Sequence, residues 1–197
     1  MFRTLALVSM TALTLAACQP PAEPTPAPTE PPVTTPTPPV DANALTGEGW
    51  GPLRIGMTLA EITAALGPDA DPDAVGGADP AACDQFRPER APEGMLLMVE
   101  EGRLSRISLI RNSTLKTDRG FGLGDSAATI KAAYGTVARV TPHKYEAAPA
   151  EYITAWAPAP AEIPTTERGI VYEIGGDGLV KAIHAGGPSI EYVEGCS

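Results

Sequence analysis

A short stretch that begins at Gly51 returns further along the chain, beginning at Gly120, and the two copies keep one register. Gly56 and Gly124, Thr58 and Ser126, Ile62 and Ile130, and Gly67 and Gly135 all stand 68 positions apart. Chance rarely preserves such an alignment, and an internal repeat limits the possible folds more than any local propensity does. Each copy reads as a glycine-permitted turn followed by a short capped helix. Thr58 with Glu61 forms a capping box, and Ser126 holds the same cap position. Leu59, Ile62 and Leu66 then share one helical face, as do Ala127, Ile130 and Tyr134, while Gly67 and Gly135 suit left-handed helix ends.

A second element also recurs. Glu101, Gly102, Arg103, Leu104 and Ile107 match Asp177, Gly178, Leu179, Val180 and Ile183 at an offset of 76. The acidic-Gly pairs predict tight turns, with strands over about 95–99 and 104–111 in the first half and 169–174 and 179–184 in the second. Further strands are expected near 152–156 and 189–193. The proline-rich stretch 157–165 absorbs the additional residues of the second half as a loop. The expected fold class is α+β: two tandem repeats, about 47–115 and 116–197, each a short helical segment followed by a small antiparallel sheet. Residues 47–197 suffice for one globular domain.

Ahead of that domain, Arg3, an apolar run to Ala17, and the sequence Leu15, Ala16, Ala17, Cys18 resemble a bacterial lipoprotein signal peptide, with an ordinary secretory peptide as the alternative. The resemblance implies that residues 1–17 are removed, that Cys18 becomes the lipid-bearing terminus, and that the chain lies outside the cytoplasm. The apolar run is too short to span a bilayer. Residues 18–46 are dense in Pro and Thr and nearly free of large apolar side chains, so they read as a disordered, extended tether. At ~3.1 Å per residue its reach is roughly 85 Å.

The net charge of −10 excludes nucleic acid and anionic lipid head groups as expected partners, since phosphate contacts need Lys or Arg. With Cys18 lipidated, Cys83 and Cys196 remain as an even pair in an oxidising compartment, and a disulfide between them is the default. The other reading, a catalytic thiol, needs a positioned base, for which the chain offers His143 and His184. The cysteines lack the short spacing of a zinc site.

The motif at 55–67, its copy at 123–135 and the two acidic-Gly hairpins resemble the small envelope proteins of the BamE (SmpA/OmlA) type. More loosely, they resemble the tandem helix-then-sheet repeats of the β-lactamase inhibitor protein. The resemblance implies a scaffold and a lipid-anchored accessory role in envelope assembly, not a chemistry. BamE-like proteins usually carry one such unit, whereas this chain carries two.

No constellation specifies catalysis or a cofactor. Asp69, Asp71 and Asp73 alternate as calcium ligands do, but Ala74 and Pro80 occupy the positions of the turning glycine and the bidentate Glu, so an acidic surface loop is the simpler reading. Gly120, Gly122 and Gly124 have neither dinucleotide nor P-loop spacing and read as a turn. Asn112, Ser113 and Thr114 match a glycosylation sequon by chance, and Glu100 with Glu101 reads as a solvated pair at a hairpin. The expectation is therefore a non-enzymatic protein without metal or cofactor. It is anchored to the membrane by lipid on Cys18, on the periplasmic side of the outer membrane, and binds another envelope protein. The alternative is an inhibitor or small-ligand-binding module of the periplasm.

Overall fold

The structure, a computed structural model, describes residue 41 and residues 43–73, 76–157 and 167–196. The lipidation motif at Cys18 and most of the tether lie outside the described residues, as does nearly all of the proline-rich stretch after Ala157. Within them the fold is a mixed α/β arrangement with more strand than helix and antiparallel sheets. A small ladder pairs β1 (Gly49–Trp50) with β2 (Leu53–Arg54). α1 (Leu59–Leu66) follows, then β3 (Cys83–Phe86), β4 (Met95–Glu100) and β5 (Arg103–Ile110). After α2 (Ala127–Tyr134) come β6 (Ala138–Pro142), β7 (Glu151–Trp156), β8 (Gly169–Ile174) and β9 (Val180–Gly186).

The expected small sheets are joined into one. Seven strands run in the order β3-β4-β5-β9-β8-β7-β6, because β5 and β9, the last strands of the two halves, pair antiparallel from Arg106↔Gly186 to Ile110↔Ala182. Strand alternation then decides what each face carries. One face presents Leu97, Ile107, Leu109, Ile153, Tyr172 and Ile183, all fully buried, against Ile62 of α1 and Ile130 of α2. Burial of this kind stabilises by roughly 25 cal/mol per Å² of apolar surface and is the main cohesive term.

Both helices are seated on the hairpins by matching bonds. Leu59 N–H donates to Gly102 C=O at 3.1 Å, and Ala127 N–H to Gly178 C=O at 3.0 Å. Gly56 N–H reaches Leu104 C=O, and Gly124 N–H reaches Val180 C=O. The hairpin glycines adopt the same left-handed backbone, with φ of +75° at Gly102 and +76° at Gly178, which a side chain would strain. Both hairpins also carry a register shift at one step, between Met98 and Val99 in β4 and between Glu173 and Ile174 in β8.

Three expectations need correction, and two strands are additional to those expected. Leu59 is 46% exposed, because the bonds that seat α1 turn its first residue away from the core and leave Ile62 and Leu66 to fill it. Leu45, assigned to the tether on composition, is fully buried; its N–H donates to Lys116 C=O and its C=O accepts from Asp118 N–H, so the packed region begins before residue 47. The strand expected at 189–193 does not form; residues 189–191 belong instead to a 3-10 turn over Pro188–Glu191, which Pro188 opens with a φ already suited to a first helical turn. β3 and β6, the two edge strands, were not expected from the sequence.

Candidate functional site

The second face of the sheet is polar at its centre. Alternation places Arg106 and Ser108 of β5, His184 of β9, Val171 and Glu173 of β8, and Tyr152 and Thr154 of β7 on it. The C-terminal segment crosses this face and is fastened at several points. Arg106 Nη1 donates to the carbonyls of Ser189 (3.2 Å) and Tyr192 (2.8 Å), Arg139 of β6 pairs with Glu191, and Lys144 pairs with Glu194 at 2.9 Å. Ile190 is buried beneath it. Cys196 ends the segment in a disulfide with Cys83 of β3, with Cα atoms 5.4 Å apart, so one strap reaches residues at both edges of the sheet.

Beneath the strap, the chain's two histidines converge on one carboxylate. His143 Nε2 lies 3.3 Å from Glu173 Oε1, and His184 Nε2 lies 3.6 Å from Oε2. Ser108 Oγ lies 2.9 Å from His184 Nδ1, directly across the β5–β9 ladder. The backbone N–H groups of Tyr145 and Glu146 both donate to His143 Nδ1 at 3.1 Å. That ring nitrogen is therefore an acceptor, and the proton of the neutral ring sits on Nε2, facing Glu173. The His143 ring stacks on Tyr152 with centroids 4.7 Å apart.

Electrostatics separates the roles. The His184 imidazole beside it holds the Glu173 carboxyl below its ordinary range, against the opposing effect of burial, and His143 acts in the same sense. Burial pushes the His184 pKa down, outweighing the attraction of Glu173. The pair is therefore an ionised carboxylate beside a neutral imidazole. Burial also lowers the pKa of Arg106, opposed by the charges of Glu100 and Glu173.

A cavity of about 270 Å³ opens between this face and the strap, lined by Glu173, His184, Tyr152, Val171, Ile190 and Tyr192 among others. Ser108 is 1% exposed and does not line it, so a molecule in the cavity meets the imidazole and the carboxylate but not the hydroxyl. The serine-imidazole contact thus satisfies buried polar groups rather than presenting a nucleophile. Nor does His143 suit a metal, because the two backbone donors on Nδ1 commit Nε2 to its proton and leave no lone pair to coordinate. Among the described residues no group of three His, Cys, Asp or Glu side chains is placed to hold a metal ion.

The residues singled out in the sequence have structural places. Asp69 Oδ1 accepts from the N–H groups of Asp71 and Arg87, which closes its loop onto the chain ahead of β4. In the glycine series, Gly122 N–H donates to Asp125 Oδ2 at 2.7 Å and forms the turn before α2. Glu101 occupies the hairpin turn with φ of +48°, and Asn112 Nδ2 donates to Glu93. Glu173, Ser108 and Arg106 belong to no motif in the sequence. Polar residues at alternate positions of otherwise apolar strands were the signal available.

A further feature lies at the sheet's edge. His143 N–H donates to Ala150 C=O, in register with the β6–β7 ladder, so Arg139 and Thr141 direct their backbone groups toward β7. Val140 consequently directs both of its backbone groups outward, and Ala138 its C=O, while the Ala138 N–H donates to Gly135 C=O and closes the preceding 3-10 turn. Val140 is 43% exposed and the preceding Val137 is 59% exposed.

No family model, no curated protein and no solved structure matches this chain.

Proposed function

We propose that this chain is a lipid-anchored protein of the bacterial cell envelope, tethered through Cys18 to the outer membrane and facing the periplasm, where it acts without catalysis as a docking module for another envelope protein. Its domain consists of two copies of one helix-and-hairpin unit that share a sheet. The matching bonds at Gly56 and Gly124, and at Leu59 and Ala127, support this duplication.

The observation that carries the docking reading is the open edge of β6. The outward N–H and C=O groups of Val140, with the outward C=O of Ala138, form a template on which an extended segment of a partner can add a strand. The exposed Val137 and Val140 offer apolar contact beside those bonds. The pairing of Cys83 with Cys196 supports an oxidising compartment.

The test is crosslinking in intact cells with mass-spectrometric identification, comparing the native protein with Cys18→Ala and Val140→Lys forms. The expected result is one envelope partner, lost in both variants, since the first removes the anchor and the second places a charge on the edge. A partner captured equally by the Val140→Lys form overturns the edge as the docking surface, and capture of no partner by the native protein overturns the module reading.

A further inference from the structure

The cavity beneath the strap has an asymmetry of charge that the docking reading does not use. Its carboxylate, Glu173, is 29% exposed, and its two contacts are imidazoles: the Nε2–H of His143 and the neutral His184. Among the described residues no lysine or arginine comes within ion-pair distance of it. The two cations at the cavity wall, Arg139 and Lys144, already face Glu191 and Glu194 of the strap. Arg106, the nearest buried cation in the sheet, spends its Nη1 on two strap carbonyls.

Apart from Thr141, Thr154 and His184, the rest of the wall is apolar or aromatic. Val171 lies on the sheet side, Ile190 and Val193 on the strap side, and Tyr152 and Tyr192 complete the enclosure. A lone ionised carboxylate in such a setting selects a positive group with N–H donors, because in a partly desolvated site a charge-assisted hydrogen bond is about twice as strong as a neutral one. The apolar remainder selects a small hydrophobic body, and the tyrosine rings add cation–π attraction for the same charge. A volume of 270 Å³ is that of several waters at ~30 Å³ each, or of one small organic molecule.

We infer that the cavity between the sheet and the C-terminal strap is a binding site for a small primary ammonium compound with an apolar body, with Glu173 accepting from the ammonium group. The site lies on the opposite sheet face from Val140, so it is separable from the β6 edge. Val140 lines the groove beside α2, on the side of the sheet that carries the helices.

Three probes that differ only at the head group test this: 2-phenylethylamine, 2-phenylethanol and phenylacetate, titrated into the purified disulfide-bonded protein and followed by calorimetry. The amine is expected to bind, with the alcohol and the carboxylate about tenfold weaker or worse. Glu173→Gln is expected to lose about tenfold or more for the amine and nothing for the alcohol, and Val140→Lys to change neither. Val193→Trp, a change at a 40% exposed strap position that fills the cavity without touching the polar cluster, is expected to abolish binding and serves if Glu173→Gln fails to fold. Equal or tighter binding of phenylacetate, undiminished amine binding in Val193→Trp, or no amine binding at millimolar concentration overturns the inference.

Discussion

Ser108 and His184 face each other across the ladder that joins the two halves of the sheet, hydroxyl oxygen to imidazole Nδ1 at 2.9 Å. Each satisfies the other in a setting where water does not reach the serine. Removing one partner leaves a buried polar atom unpaired, which costs about 1–3 kcal/mol, so Ser108→Ala is expected to lower the unfolding free energy by that amount. Chemical denaturation of the two forms at pH 7.5 measures it.

The same imidazole sets a pH dependence. Burial holds the folded pKa of His184 below its ordinary value of 6.5, so on acidification the unfolded chain takes up a proton that the folded chain refuses. Stability is therefore expected to be unaffected by this group above about pH 6.5 and to fall as the pH drops below it, toward the folded pKa. Glu173 acts in a lower window: its folded pKa is depressed from 4.5, so its contribution is present above that value and is lost as the pH falls through the folded pKa. Urea midpoints between pH 7.5 and 5 isolate the histidine effect, and a midpoint that stays flat across that range contradicts it.

Much of this architecture was legible in the sequence, and what was not has a common cause. Thr58, Ser126 and the hairpin glycines act within a few residues of themselves, so their signals are local, and both helices and both hairpins follow from them. The pairing of β5 with β9 depends on contacts between residues 72 to 80 positions apart, and no local pattern encodes which strand edges meet. Glu173 was passed over for a related reason. A carboxylate in a strand reads as a solvent-facing position until the strap, itself read as a strand, is known to cover that face. Leu45 was misplaced because a single buried leucine is invisible in a tract whose composition is otherwise that of a tether.

The disulfide closes a long loop between Cys83 and Cys196, with a sequence separation of 113, and the chain-entropy relation gives such a closure about 4–5 kcal/mol. Cys83→Ser is accordingly expected to lower the thermal midpoint markedly, and treatment of the native protein with reductant to lower it by a similar amount. Ile190 should become accessible at the same time, since the strap loses its terminal fastening. Scanning calorimetry with and without reductant measures the first effect, and hydrogen exchange across 187–196 the second. A native midpoint insensitive to reductant contradicts the assignment of this stabilisation to the bond.

The two helix caps differ in a way that predicts unequal losses. Thr58 Oγ1 accepts from Glu61 N–H while the Glu61 carboxylate accepts from Thr58 N–H at 2.8 Å, a reciprocal box. Ser126 Oγ accepts from Thr129 N–H without the return bond. Cap removal costs ~1 kcal/mol, so Thr58→Ala and Ser126→Ala should each destabilise by about that amount, with Thr58→Ala the larger. Because both helices lie on one core, a combined variant that loses much less than the two single losses together would show that the caps are energetically coupled.

Tyr172 is fully buried, its hydroxyl 2.9 Å from that of Tyr134 and donating to Thr117 Oγ1 at 3.2 Å, while Phe121 meets its ring edge-on at 6.0 Å. Burial pushes its pKa far above the ordinary value of 10, and Tyr134 shifts the same way. In the folded protein the phenol keeps its proton where the unfolded chain gives one up, so this contribution is complete below about pH 10 and is lost as the pH rises beyond it toward the folded value. The expected outcome is a stability that holds from pH 8 to 9.5 and falls above pH 10. Tyr172→Phe should be less stable than the native protein at pH 8 by about 0.5–1.5 kcal/mol, the worth of its hydrogen bonds, and should show a shallower alkaline decline. Parallel urea titrations at pH 8 and pH 10.5 compare the two, and an equally steep decline in the variant would move the alkaline effect away from Tyr172.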